Sequence, residues 1–171
     1  VTPAWLAKPP PAWRARMVRT GFNFLPAFRG TGGRIEHVAH DFSHIRVRLP
    51  LSWRTRNVVG SIYGGSLFAV TDGVHPVMLM SALGDGVVVW DKAASIRYKK
   101  PGFTTLYADF VLPPEEVRAI RLALRESPEL DRTYLVELKD SDGTVHTVVE
   151  RTVYIADKAH YQSKTTLGDI S

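Results

Sequence analysis

Polar and apolar positions alternate through the flanks of this chain and give way to an almost unbroken apolar run in its middle. Ile45-Arg46-Val47-Arg48-Leu49 alternates with period two, the pattern of a strand with one buried face, and Pro50 closes it. Ile35 to His40 reads as a weaker strand before it. From Ile62 to Leu83 the chain is apolar nearly all round, and a helix without a polar face is buried on most sides. Gly73 and Pro76 predict a bend in that helix, and Gly84-Asp85-Gly86 ends it. Four strands follow. The first starts at Val87-Val88-Val89-Trp90 and runs to Lys99. The second is Leu106 to Leu112. The last two, Thr133 to Lys139 and Val145 to Ile155, flank the hairpin turn Asp140-Ser141-Asp142-Gly143. Pro113-Pro114-Glu115-Glu116 opens a short helix with Val117, Ile120 and Leu124 on one face. Residues 11–29 mix arginines with Trp13, Met17, Phe22 and Phe28 and predict an amphipathic helix, ended by Gly30-Thr31-Gly32-Gly33. There is no internal repeat.

One long apolar helix covered by a single curved antiparallel sheet is an α+β architecture. The chain divides into an N-terminal arm and helix (residues 1–33), the sheet-and-helix domain (34–156) and a loose C-terminal tail (157–171). A total of 171 residues fits one domain with a core of its own. The absence of cysteine excludes disulfides, a thiol nucleophile and thiolate metal sites, and is compatible with a reducing cytoplasm. No apolar run reads as long enough to cross a bilayer, and Val1 to Pro11 lacks a signal-peptide core. The net charge of +5 favours anionic partners in general. The basic residues form no block, however. Arg46, Arg48, Arg97 and Lys99 alternate along strands and Arg14, Arg16 and Arg19 punctuate a helix, so nucleic acid binding rests on charge alone. There is no recognisable nucleic-acid signature, no serine elbow and no phosphate loop.

The chemistry concentrates in Asn57 to Asp72. A glycine turn, Gly60-Ser61-Ile62-Tyr63-Gly64-Gly65, opens the apolar helix, where unpaired backbone N–H groups are exposed and glycines allow close approach. Two turns further on stands one carboxylate, Asp72, in apolar surroundings that favour a tuned base. The bland alternatives are a buried acid pairing with His75, close helix–sheet packing for Gly64-Gly65, a loop cap for Asn57 and a core aromatic for Tyr63. His75 shares a helix face with Asp72, so an Asp–His dyad is conceivable beside a satisfied core histidine. His37, His40 and His44 cluster in sequence, but His37 and His40 point to opposite faces of a strand, and no metal site is expected.

With those residues in place the chain resembles the hotdog fold and, within it, the PaaI-like acyl-CoA thioesterases. That family's pattern is an Asn, a Gly, His-Gly-Gly and an acid nine residues after the His. Asn57, Gly60, Gly64, Gly65 and Asp72 fall on those positions. The strand from Asp91 to Pro101 is similar to the family's strand ending in a basic-Pro turn. The similarity of element order covers roughly Arg34 to Ala156, while only Asn57–Asp72 is specific. Tyr63 stands where the family has its His, as in a less characterised thioesterase-like branch.

The resemblance implies homodimers paired through their sheets, often assembled into homotetramers. It implies a site between subunits, thioesters of coenzyme A or acyl carrier protein as substrates, no metal, and no cofactor beyond coenzyme A as part of the substrate. Asp72 would be general base or nucleophile, and the Gly65 N–H the oxyanion donor, aided by the helix dipole. Asn57 would orient water or the carbonyl, and Tyr63 would donate through its hydroxyl. Gly60 and Gly64 would shape the substrate site, with Arg97, Lys99 and Lys100 meeting coenzyme A phosphates. Tyr63 also motivates the alternative of a non-catalytic acyl-CoA or fatty-acid binding domain. A hydratase on the same fold would need a His across the pocket, which the spacing of His75 does not match.

Overall fold

The computed structural model describes residues 11–166; the predicted arm before residue 11 and the last part of the predicted tail lie outside them. The elements are α1 (Pro11–Phe24), α2 (Pro26–Gly30), β1 (Arg34–Val38), β2 (His44–Leu49), α3 (Gly64–Ala69), α4 (Val74–Leu83), β3 (Val87–Tyr98), β4 (Leu106–Val111), α5 (Pro114–Glu126), β5 (Glu129–Lys139), β6 (Val145–Asp157) and α6 (Lys158–Thr166). The six strands form one antiparallel sheet in the order β1-β2-β4-β5-β6-β3. Its inner face carries Ile45, Val47, Phe110, Val136, Leu138, Val149, Val153 and Ile155, all buried against Leu67, Val70, Val74, Met78 and Leu79 of the α3–α4 segment. This is the predicted sheet around a central helix.

The central helix is broken rather than bent. Residues 70–73 form a turn, and Gly73 adopts φ +71°, a left-handed conformation costly for side-chain-bearing residues. Pro76 then falls in the first turn of α4, where its missing N–H would have had no helical acceptor. By length and composition Gly64–Leu83 does match a bilayer-spanning helix, contrary to the sequence expectation; here the stretch is two helices, half-buried in the core of the sheet. The carbonyl end of α4 receives two cations, Arg14 donating to the Ser81 carbonyl at 3.2 Å and Arg121 to that of Ala82 at 2.7 Å. Cations at that end satisfy orphan carbonyls and complement the helix dipole.

Three other boundaries differ from the pattern. Pro26 splits the predicted 11–29 helix into α1 and α2, because the residue before a proline is pushed out of helical geometry and Leu25 is extended (ψ 120°). β5 begins at Glu129, four residues early, because Glu129–Arg132 pairs with the end of β6 despite its polar sequence. Residues 158–166 are helical and docked, not a loose tail. Tyr161 packs edge-on to Trp90, and Lys164 reaches Glu129 at 2.9 Å, which also accepts from the Tyr154 hydroxyl.

The two sheet edges are treated differently. On β1, Asn23 of α1 mimics a strand, donating to the Ile35 carbonyl and accepting from the Ile35 N–H at 2.9 and 2.8 Å. On β3, α6 covers the start, and among the described residues the strand pairs solely with β6. Lys92 to Ser95, Arg97 and Tyr98 lie exposed along a long free edge.

Candidate functional site

The helix break presents Asp72. It lies in the turn between α3 and α4, not on a helix, and its side chain is 65 % exposed rather than wrapped in apolar groups. Its partner is Arg151, which the sequence reading did not single out. Arg151 occupies the inner face of β6 in phase with Val149 and Val153, only 4 % exposed. Each arm of its guanidinium is used: Nη1 donates to Asp72 Oδ1 at 2.7 Å, Nε to Thr71 Oγ1 at 3.1 Å and Nη2 to the Phe68 carbonyl at 3.0 Å. The guanidinium also lies over the Phe68 ring, 4.8 Å from its centre. Such a fork fixes both the helix end and the acid that follows it.

A second acid stands behind. Asp91 lies on β3 opposite Val153 of β6, its side chain 13 % exposed. Its Oδ2 accepts the Gly73 N–H at 2.9 Å and sits 3.5 Å from Arg151 Nη1, while Oδ1 is buried without a partner. Burial pushes the Asp91 carboxyl above its ordinary value, and the neighbouring Asp72 charge adds to that; the Gly73 N–H and Arg151 oppose it. Both missed residues had one available signal. Each is a charged residue in phase with valines on a strand, Arg151 with Val149 and Val153, Asp91 with Val87 and Val89.

The glycine turn builds a separate cleft of about 520 Å³, lined by Asn57, Ser61 to Gly65, Leu67 and Tyr98 to Gly102. The Tyr63 ring lies against the start of α3, so a Cβ on Gly65 would come within 2.4 Å of it. Tyr98 closes on Gly64 from the other side, its hydroxyl donating to the Gly64 carbonyl at 3.2 Å. A side chain at either glycine would thus have to displace one of these exposed rings. No side chain caps α3, which leaves its first N–H groups without a side-chain acceptor. At six residues α3 is too short for much of a macrodipole, so individual N–H donors matter more here than the predicted dipole.

Asn57 is committed within its own loop. Oδ1 accepts from Val59 N and Ser61 N, both at 3.1 Å, and Nδ2 donates to Ser61 Oγ at 2.9 Å, holding the turn in which Gly60 takes φ +88°. Tyr63 is 60 % exposed, not a core aromatic. Lys99 and Lys100 line the cleft, whereas Arg97 does not. The basic turn is anchored from behind. His146 accepts the Lys99 and Lys100 N–H groups through its carbonyl, and its ring bridges the Pro101 carbonyl and Asp140 Oδ2, each at 3.0 Å.

Within one chain the structure does not bring Asp72 into the glycine-turn cleft. Nor does it form the Asp72–His75 pair. His75 points into the core, stacked on Tyr134 at 4.2 Å and edge-on to Phe110 at 5.1 Å. His44 lies tilted beside His37, ring centres 5.6 Å apart, and pairs with Asp109 at 2.8 Å.

The comparisons with known proteins fit this geometry. The sequence profile of DUF4442, a domain of unknown function, matches residues 14–155. The chain belongs to the DUF4442 family. No curated protein matches it. Among solved structures, this DUF4442 chain is similar to PA5026 of Pseudomonas aeruginosa, described as a protein of unknown function and probable thioesterase. The TM-score is 0.73 at 20 % identity, over 83 % of this chain and 95 % of that one. It is similar to the thioesterase HI1161 of Haemophilus influenzae, with TM-score 0.62 and 13 % identity over 84 % and 90 %. It is also similar to the E. coli PaaI protein of the phenylacetic acid degradation operon, with TM-score 0.57 and 16 % identity over 84 % and 92 %. The fold of this DUF4442 domain is the hotdog fold shared with these thioesterase-like proteins.

Proposed function

We propose that this DUF4442 chain hydrolyses acyl thioesters of coenzyme A or acyl carrier protein, in a site completed between two copies. The observation that carries the reading is the acid at the helix break, a largely exposed carboxylate whose position is fixed by a buried arginine, in a fold whose solved neighbours include named thioesterases. Asp72 either takes a proton from water, which then adds to the thioester carbon, or adds directly to give an acyl-enzyme anhydride that water opens. In both routes the carbon–sulfur bond breaks, the departing thiolate recovers a proton, and acid and thiol leave. The oxygen that gains charge needs a donor, for which the Gly65 N–H at the cleft is available; one such donor is typically worth about 3 kcal/mol. Asn57 keeps the turn that presents this N–H.

The need for two copies follows from what each lacks. The cleft of one chain contains no carboxylate, and its Asp72 lies elsewhere. A long bare edge on β3 invites pairing with another strand, so a homodimer across β3 supports the reading, with further assembly to a homotetramer an extension of it. Lys99 and Lys100 at the cleft suit the phosphates of coenzyme A; Arg97, outside the lining, suits them less. The reaction calls for no metal and no cofactor beyond coenzyme A in the substrate, and the proposed setting is the cytoplasm.

The test is thiol release from a panel of short, long and aromatic acyl-CoAs by wild type and Asp72→Ala, with sedimentation to read the assembly. Turnover abolished in the variant supports the proposal, and an unchanged rate in Asp72→Ala overturns the mechanism. A second reading, a binding domain without turnover, is favoured by Tyr63, whose ring packs over the donor end of α3 where the related pattern has His. Recovery of stoichiometric acyl ligand with no hydrolysis would select it.

A further inference from the structure

The charges around Asp72 do not balance if every group is ionised. One buried guanidinium, Arg151, faces two carboxyls, Asp72 at 2.7 Å and Asp91 at 3.5 Å. No other cation among the described residues joins them. Lys92, next to Asp91, turns away to Asp131 at 2.8 Å. His75 of α4 is the other titratable group near Arg151, and burial, then the Arg151 charge, lowers it to about 4, so it is neutral at pH 7. On β5, Tyr134 directs its hydroxyl to Glu116 instead. Two carboxylates share one buried cation; Asp72 is solvated, but Asp91 is not, and a buried carboxylate oxygen without a donor is expensive. Asp91 Oδ1 is that oxygen. A proton on Asp91 removes the cost of its buried charge. The two acids are unequal in the direction this requires: Asp72 is exposed and close to Arg151, Asp91 buried and further away.

We infer that Asp72 and Asp91 form one coupled acid pair on Arg151, in which Asp91 is the proton-holding member, and that Arg151 is the positioning residue that fixes Asp72. The consequence for rate rests on the proposed hydrolysis; the pair itself does not. With Asp91 as the member that holds a proton, Asp72 remains free to act as base or nucleophile. Two acids on one guanidinium titrate as a unit, so each reports the other's ionisation.

The experiment is a carboxyl ¹³C NMR titration of the full chain, wild type, Asp91→Asn and Asp72→Asn, followed by pH–rate profiles of wild type, Asp91→Asn, Arg151→Lys and Arg151→Gln on the best acyl-CoA. Asp91 should lose its proton above the ordinary carboxylate range. The Asp72 signal should show a second inflection as Asp91 ionises, which disappears in Asp91→Asn. In Asp72→Asn the Asp91 step should move to lower pH, since a like charge is gone. Arg151→Gln should lower kcat by about 10²-fold with KM changed far less, as for a misplaced reacting group, and Arg151→Lys should restore part of it. An Asp91 that titrates with the ordinary carboxylates, or an Asp72 signal with one inflection in wild type, overturns the pair even if thioesters are hydrolysed. If none is hydrolysed, the proposed function fails and the titration still decides the pair.

Discussion

Acidification should unfold this protein partly through one core residue. His75 is buried between Tyr134 and Phe110, its Nδ1 has no hydrogen-bond partner, and burial followed by the Arg151 charge lowers it from 6.5 to about 4. The native state therefore keeps the ring neutral through a range in which the unfolded chain protonates it. Stability rises with pH wherever the unfolded state binds more protons. The His75 contribution is thus fully present above pH 6.5, lost progressively as pH falls, and exhausted below pH 4. The full shift of about 2.5 units corresponds to about 3 kcal/mol, and at pH 5 the expected penalty is about 2 kcal/mol. His75→Phe keeps a ring against Tyr134 and Phe110 but cannot titrate. Urea unfolding of both proteins from pH 4.5 to 8 isolates the effect, because carboxylates contribute equally to each. The stability difference between variant and wild type should shift by about 2 kcal/mol in the variant's favour between pH 7.5 and pH 5. A pH-independent difference would refute the reasoning and show that His75 reaches solvent or a partner on protonation.

Other consequences follow from single contacts. Gly73→Ala should destabilise by about 1–2 kcal/mol on denaturant titration, from the left-handed backbone alone, since a Cβ there meets nothing within 4 Å. His146→Phe removes the bridge between Pro101 and Asp140 and should cost about 1–3 kcal/mol, with faster amide exchange at Lys99 and Lys100. Asn23→Ala frees both main-chain groups of Ile35 that its side chain satisfies, so Tm should fall by several degrees as α1 loosens from β1, while thiol release is unaffected.

The fold was legible because most of it is written in period-two and all-apolar patterns, and from Arg34 to Ile155 only the central helix differed by more than a shift of boundary. What escaped the pattern has physical causes. The break at residues 70–73 leaves no trace in hydrophobicity, since Val70 and Val74 are both buried on either side of it; Gly73 was visible, but a glycine signals a bend and a break alike. α6 carries too little apolar surface to declare itself, and it docks through Tyr161, which meets Trp90, and through Lys164. In the site, Asp72 and the glycine turn stood out by spacing. Arg151 and Asp91 did not, because a charged residue on a strand is ordinarily read as facing solvent.

That misreading bears on how the site is held. Burying Arg151 is costly, and removing it alone is costly too, because Asp91 would stay largely buried without its cation. Its cost is offset only because its partners lie where the helix is interrupted: Thr71 and Phe68 at the end of α3, Asp72 in the turn, Asp91 beyond. An unbroken helix would leave Phe68 O bonded within it and would give Asp72 no fixed turn to stand on. The break, the left-handed Gly73 that permits it, the proline tolerated just after it, and the buried arginine that occupies it are one device. Arg151→Leu should therefore cost about 3–5 kcal/mol on denaturant titration, eased when Asp91 is also replaced by Asn, and abolish any activity that depends on Asp72. Full activity in the Arg151→Leu protein would show that the acid needs no such support.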